Sequence, residues 1–164
     1  MKNLFFIFLF LNALYYAQNN IVTIGGRTNI NTFKCQNSDF PATVSLSERN
    51  LQDITLKTKL FRCDNKVMTS DFRKILDAEN HPNIPIRILK LSKTNNRQYS
   101  GTFEIKLAGK TQTYTSLFTL QGNLLKGSQT VRFSDFGLNP PKKFAGAVVV
   151  KNDLHISFSF NTVP

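Results

Sequence analysis

From residue 21 onward apolar and polar residues alternate in short runs, the period-2 pattern of strands with one buried face. The cleanest run is 153–161, where Leu154, Ile156, Phe158 and Phe160 face one way and His155, Ser157 and Ser159 the other. Phe103, Ile105 and Leu107 alternate with Glu104 and Lys106. Ile54, Leu56, Thr58 and Leu60 alternate with Thr55, Lys57 and Lys59. Further strands are predicted over 21–24, 30–35, 42–47, 84–91, 111–120, 124–133 and 147–151, which makes about eight to ten in all. Asn95-Asn96, Ala108-Gly109-Lys110, Gln121-Gly122-Asn123 and Asn152-Asp153 carry the turn chemistry that separates these runs. Strands joined by such short loops are antiparallel. One helix is predicted, over 70–78, with Thr69 or Ser70 as N-cap, Asp71 near its start, Phe72, Ile75 and Leu76 on one face, and its end before Pro82.

An almost wholly antiparallel chain of this kind closes as a barrel or stacks as a sandwich. Long strands in a meander favour the barrel, because Greek-key sandwiches use shorter strands and longer crossings. The predicted class is therefore all-β, an antiparallel barrel of about eight strands with one short helix. A barrel of that size encloses room for side chains or for one slender ligand.

The first residues follow a different pattern. Lys2 precedes an apolar run from Leu4 to Leu11, and a polar stretch then ends at the small residue Ala17, the layout of a secretory signal. The run is too short for a membrane-crossing helix, which needs about 20 apolar residues. Residues 1–17 are read as the signal peptide and 18–164 as one barrel domain of an exported protein, periplasmic or secreted. The 164-residue chain has a formal charge of +11, and loss of the signal removes only Lys2, leaving about +10.

Export changes the reading of Cys35 and Cys63, since thiols in an oxidising compartment tend to pair. A Cys35–Cys63 disulfide is predicted; two buried free thiols are the alternative. No CxxC spacing points to redox work.

Several segments carry a family resemblance. Met68-Thr69-Ser70-Asp71-Phe72-Arg73-Lys74-Ile75-Leu76, continuing to His81-Pro82-Asn83-Ile84-Pro85-Ile86, resembles the helix and following strand of YceI-like proteins. The stretch from Phe133-Ser134-Asp135-Phe136-Gly137 through Pro140-Pro141-Lys142-Lys143, followed by Ala145 to Leu154, resembles that family's Asp-Phe-Gly segment and last strand. Gly25-Gly26-Arg27-Thr28-Asn29 is compatible with it, and the resemblance spans residues 54–160. It implies an extended lipocalin-like barrel, exported to the bacterial periplasm or beyond, whose apolar lumen holds a polyisoprenoid or similar amphiphilic lipid. The inward positions Ile54, Leu56, Ile86, Ile88, Phe103, Ile105, Phe118, Val131, Phe133, Phe158 and Phe160 are then the lumen residues. Alternation by itself leaves a filled core equally open.

In the Asp-Phe-Gly segment, Asp135 is expected to cap a turn, Phe136 to plug a barrel end and Gly137 to supply an unusual backbone angle. The kinase triplet of the same letters needs a catalytic loop that this chain lacks. His81 and His155 have no partners at catalytic or metal-binding spacing, HExxH and GxSxG are absent, and the ten carboxylates are scattered. Gly25-Gly26 lacks the strand and helix of a phosphate loop. No enzyme activity, metal or cofactor other than a bound isoprenoid lipid is therefore expected. The cations fall in three regions: Lys57, Lys59, Arg62 and Lys66; Arg87, Lys90, Lys93 and Arg97; Lys142 and Lys143. They read either as a solvated face or as attraction to an anionic membrane surface or polyanion, with no nucleic-acid partner. Two functions compete: a non-enzymatic carrier or scavenger of an amphiphilic lipid, and an exported interaction or stress protein with a solid barrel. Oligomeric state is not encoded in these patterns.

Overall fold

The computed structural model describes residues 20–47 and 52–163. The expected signal segment lies outside them. In chain order the elements are β1 (Ile21–Thr28), β2 (Thr32–Asn37), the two-residue β3 (Val44–Ser45), β4 (Gln52–Lys57), the two-residue β5 (Arg62–Cys63), helix α1 (Lys66–Ile75), β6 (Asn83–Lys93), β7 (Gln98–Leu107), β8 (Lys110–Gln121), β9 (Leu124–Arg132), the two-residue β10 (Lys142–Lys143) and β11 (Val148–Val163). The strands form one sheet in the order β4-β6-β7-β8-β9-β11-β1-β2-β5, every pair along it antiparallel.

The two ends of that order, β4 and β5, are consecutive in the chain and joined by a 3-10 turn over Thr58–Leu60. The sheet therefore curls round until its last strand meets the continuation of its first. Buried polar groups hold this kink. Asn37 of β2 donates through Nδ2 to Lys57 O at 3.2 Å, and the fully buried Thr58 donates through Oγ1 to His81 O at 2.8 Å and through its amide to Pro82 O at 2.9 Å. The result is the all-β antiparallel architecture that the alternation predicts, with eight strands of six residues or more.

Predicted elements differ in several places: the run 54–60 leaves strand at Lys57 for the 3-10 turn, and the strand predicted over 30–35 starts at Thr32. The helix begins at Lys66 because Asn65 caps it, its side chain accepting from Met68 N at 2.8 Å. Thr69 lies inside the helix, where its hydroxyl donates to Asn65 O and accepts from Cys63 N, both at 2.9 Å. Asn152-Asp153 makes no turn. β11 runs through it, and the register against β1 passes from Gly26↔Leu154 to Thr28↔Val150, so residues 151–153 bulge opposite Arg27 alone. Asn152 uses its side chain to hold Ser134 N at 3.1 Å. The run 42–47 contributes only Val44–Ser45, paired in parallel with the end of β11.

One core fills the barrel. Away from α1, the rings of Phe103, Phe118, Phe158 and Phe160 pack with centroids 5.5–6.3 Å apart, and Phe40 meets Phe160 at 6.2 Å. Phe118 fits there because a glycine on each flanking strand, its partner Gly127 on β9 and the diagonal Gly101 on β7, lies against its ring. A Cβ on Gly101 would lie 2.6 Å from the ring, and one on Gly127 2.5 Å. Either contact forces the ring to move, and the other glycine's strand blocks its retreat. Gly127→Ala is thus expected to destabilise the protein by about 1–3 kcal/mol, the usual range for overpacking, read as a lowered urea midpoint at unchanged m value. An unchanged midpoint would mean that the ring has free space.

Candidate functional site at the helix-covered end of the barrel

All eleven residues predicted for the lumen are buried. Ten are inward positions of strands; Phe133 instead opens the 3-10 turn Phe133–Phe136 and borders an outer groove. The space left between the inward side chains is small. A void of about 30 Å³ lies among Leu56, Ile86, Ile105, Val131, Phe136 and Phe158, toward the end covered by α1. It has room for about one water molecule. In this conformation aromatic rings pack against one another along the lumen.

A much larger space lies just outside. The β1–β2 turn, α1 and the segment from Pro141 to Val150 enclose an open, mainly apolar groove of about 710 Å³. Phe33, Met68, Phe72, Ile75, Phe133 and Phe144 are among its walls. The hydrophobic face of α1 produces this geometry. Phe72 and Leu76 are buried and line the void, while Met68 and Ile75 on the same apolar face border the groove. Phe72 borders both spaces; its ring packs against that of Phe61 with centroids 5.5 Å apart and planes tilted by 54°. The alternation of strand residues gives no signal for this groove, since a helix and two loops build most of it.

The Asp135-Phe136-Gly137 segment lies beside the same void. The Asp135 carboxylate accepts from Arg132 N at 3.0 Å and from the Tyr114 hydroxyl at 3.2 Å. Phe136 is buried against the void, and Gly137 has φ of 67°, a left-handed angle that suits glycine. Gln112 Nε2 donates to Asp135 O at 2.6 Å. These side chains bridge a seam in the wall: β8 and β9 pair only between Phe118–Gln121 and Leu124–Gly127, and Ser116 Oγ donates to Gln129 Oε1 at 2.5 Å beyond.

Burial, and then the adjacent Asp135 carboxylate, push the Tyr114 hydroxyl up to about 12. An unfolded tyrosine ionises near 10, so the neutral hydroxyl adds stability that is complete below about pH 10 and is lost as pH rises toward about 12. Tyr114→Phe is expected to flatten the decline of the denaturation midpoint across that interval. A decline identical to that of the unsubstituted protein would show that Tyr114 ionises normally.

Cys35 and Cys63 form a disulfide, as predicted, joining paired positions of β2 and β5. The bond fits an oxidising compartment. His81 stands 3.8 Å from the Asp77 carboxylate, and His155 is exposed on the outside of β11. Among the described residues no group of three or more His, Cys, Asp or Glu is arranged to hold a metal.

A curled antiparallel barrel with an apolar, helix-covered end places the molecule in the lipocalin-like class. The family model of the YceI-like domain matches residues 16–162. The chain belongs to the YceI-like family. Its fold is similar to that of Burkholderia cenocepacia BcnA, with a TM-score of 0.70 at 17% identity over 85% of this chain and 94% of that one. It is also similar to a Campylobacter jejuni YceI protein, with a TM-score of 0.54 at 13% identity over 72% of this chain and 84% of that one. No curated protein matches the sequence.

Proposed function

We propose that the protein is an exported, non-enzymatic carrier or scavenger of an amphiphile with a polyisoprenoid-like tail, working in the periplasm or outside the cell. The observation that carries this reading is the 710 Å³ apolar groove, whose lining shares the buried Phe72 with the void inside the barrel. The tail lies first against Met68, Ile75 and Phe133. Rotation of Phe72 then admits it to the lumen, where it displaces aromatic contacts among the residues predicted for that role. Burial contributes about 0.8 kcal/mol per methylene, so one five-carbon unit gains a few kcal/mol before the costs of ordering and of moving the rings. The headgroup remains at the mouth near Lys66 and Lys143.

A second reading, a solid barrel acting through its surface, is favoured by the 30 Å³ of interior space. Native mass spectrometry of protein isolated from its membrane-containing host separates the two. The carrier reading expects a co-purifying lipid-sized mass. Its absence, together with destabilisation of Ile105→Trp by about 1–3 kcal/mol, would favour the solid barrel.

A further inference from the structure

The most exposed large apolar side chains among the described residues are Phe144 at 81%, Val67 at 73% and Ile30 at 68%. They belong to separate parts of the chain: the loop before β11, the first turn of α1 and the β1–β2 turn. All three nevertheless border the same groove. Scattered surface apolar residues need no explanation, but a cluster rimmed by polar groups marks a contact surface.

The backbone keeps this cluster in place. Phe144 and Ala145 have φ of 52° and 53°, left-handed values that side chains disfavour, and Gly146 follows at 94°. Asn29 of the β1–β2 turn secures the loop, donating through Nδ2 to Ala147 O and accepting from Val149 N, both at 2.9 Å. The tip that carries Ile30 is thereby stitched to the one that carries Phe144. Strain maintained by tertiary bonds is typical of working surfaces.

Charge says what the surface meets. Lys66 and Lys143 line the groove, and the exposed Arg27, Lys142 and Lys151 are each next in sequence to a lining residue. Asp71, the acid on the lining, is 2.9 Å from Lys143. Apolar tips inside a cationic collar match a bilayer with anionic headgroups above its acyl chains. A second copy would instead bring like charges face to face.

We propose that this rim docks on an anionic phospholipid bilayer, with Phe144, Val67 and Ile30 inserted below the headgroups and the surrounding lysines against the phosphates. The groove mouth then opens onto the lipid. This deepens the carrier reading by naming the surface at which the amphiphile is exchanged, and it rests on that reading only for this purpose.

Co-sedimentation of the purified protein with vesicles of phosphatidylethanolamine and phosphatidylglycerol tests the docking, with phosphatidylcholine vesicles for comparison. The protein is expected to bind the anionic vesicles, less so at high salt, and to remain largely free of phosphatidylcholine. Joint replacement Ile30→Ser, Val67→Ser and Phe144→Ser should weaken binding at least about tenfold, with the denaturation midpoint unchanged because the side chains are exposed. Lys66→Gln and Lys142→Gln should each weaken it about fivefold. The proposal is overturned if the unsubstituted protein ignores anionic vesicles or if the triple variant binds them equally well. A dimer dissolved by the triple variant, without vesicle binding, would overturn it in favour of a second copy. Native mass spectrometry of the same preparations keeps the two ideas apart: lipid cargo without vesicle binding removes the docking and leaves the carrier, and vesicle binding without cargo does the reverse.

Discussion

Phe136→Ala is expected to lower the stability of the barrel by about 3–5 kcal/mol, the range for removing a buried aromatic ring. The ring is buried and already borders the 30 Å³ void. Truncation therefore enlarges an existing space instead of opening one that neighbours can fill. Collapse is resisted on every side: Asp135 is tied to Arg132 N and Tyr114, Gly137 N donates to Ser134 O at 3.0 Å, and Leu138 N donates to Phe133 O at 3.0 Å. The change should appear as a lower denaturant midpoint at unchanged m value. An unchanged midpoint would remove Phe136 from the closure of this end.

Joint replacement of Cys35 and Cys63 by alanine should cost about 3.5 kcal/mol, from the entropy of a cross-linked loop of about 28 residues in the unfolded chain. The bond joins the edge strand β5 to β2, and β5 has only two residues of its own to hold it. Its loss also loosens the entry to α1, because Cys63 N is bonded to Thr69 Oγ1. Neither cysteine borders the void or the groove, so affinity for an apolar chain should survive in the fraction that folds. Two free thiols counted in the denatured, unreduced protein would contradict the pairing.

The strands and their buried faces were legible because a period of two is imposed by the pleat itself: Leu154, Ile156, Phe158 and Phe160 are buried, and His155 between them is exposed. Boundaries were less so where one residue type serves two purposes. Asn65 and Thr69 can both cap a helix, and only the fold shows that Asn65 does so while Thr69 bonds back along the helix. Asn152-Asp153 has the composition of a turn, yet bonds from Asn152 to Ser134 and the Arg132–Asp153 ion pair at 3.4 Å keep β11 extended through a bulge. Gly101 and Gly127 carry no sign in the sequence that a ring on a third strand needs their missing side chains. The same limit hid the groove. Ile30, Val67 and Phe144 are distant in sequence, and periodicity along a strand cannot report what the ends of different elements bring together.

The most direct measurement of the central claim is calorimetric titration with a water-dispersible prenyl chain, geranylgeranyl diphosphate, at several temperatures and salt concentrations. A tail taken from water into the groove and lumen gives saturable binding with a negative heat-capacity change, largely retained at high salt because apolar burial is not screened. Absence of binding, or binding that high salt abolishes and that shows no heat-capacity change, would contradict the carrier and reduce the interaction to attraction of the diphosphate to a basic surface.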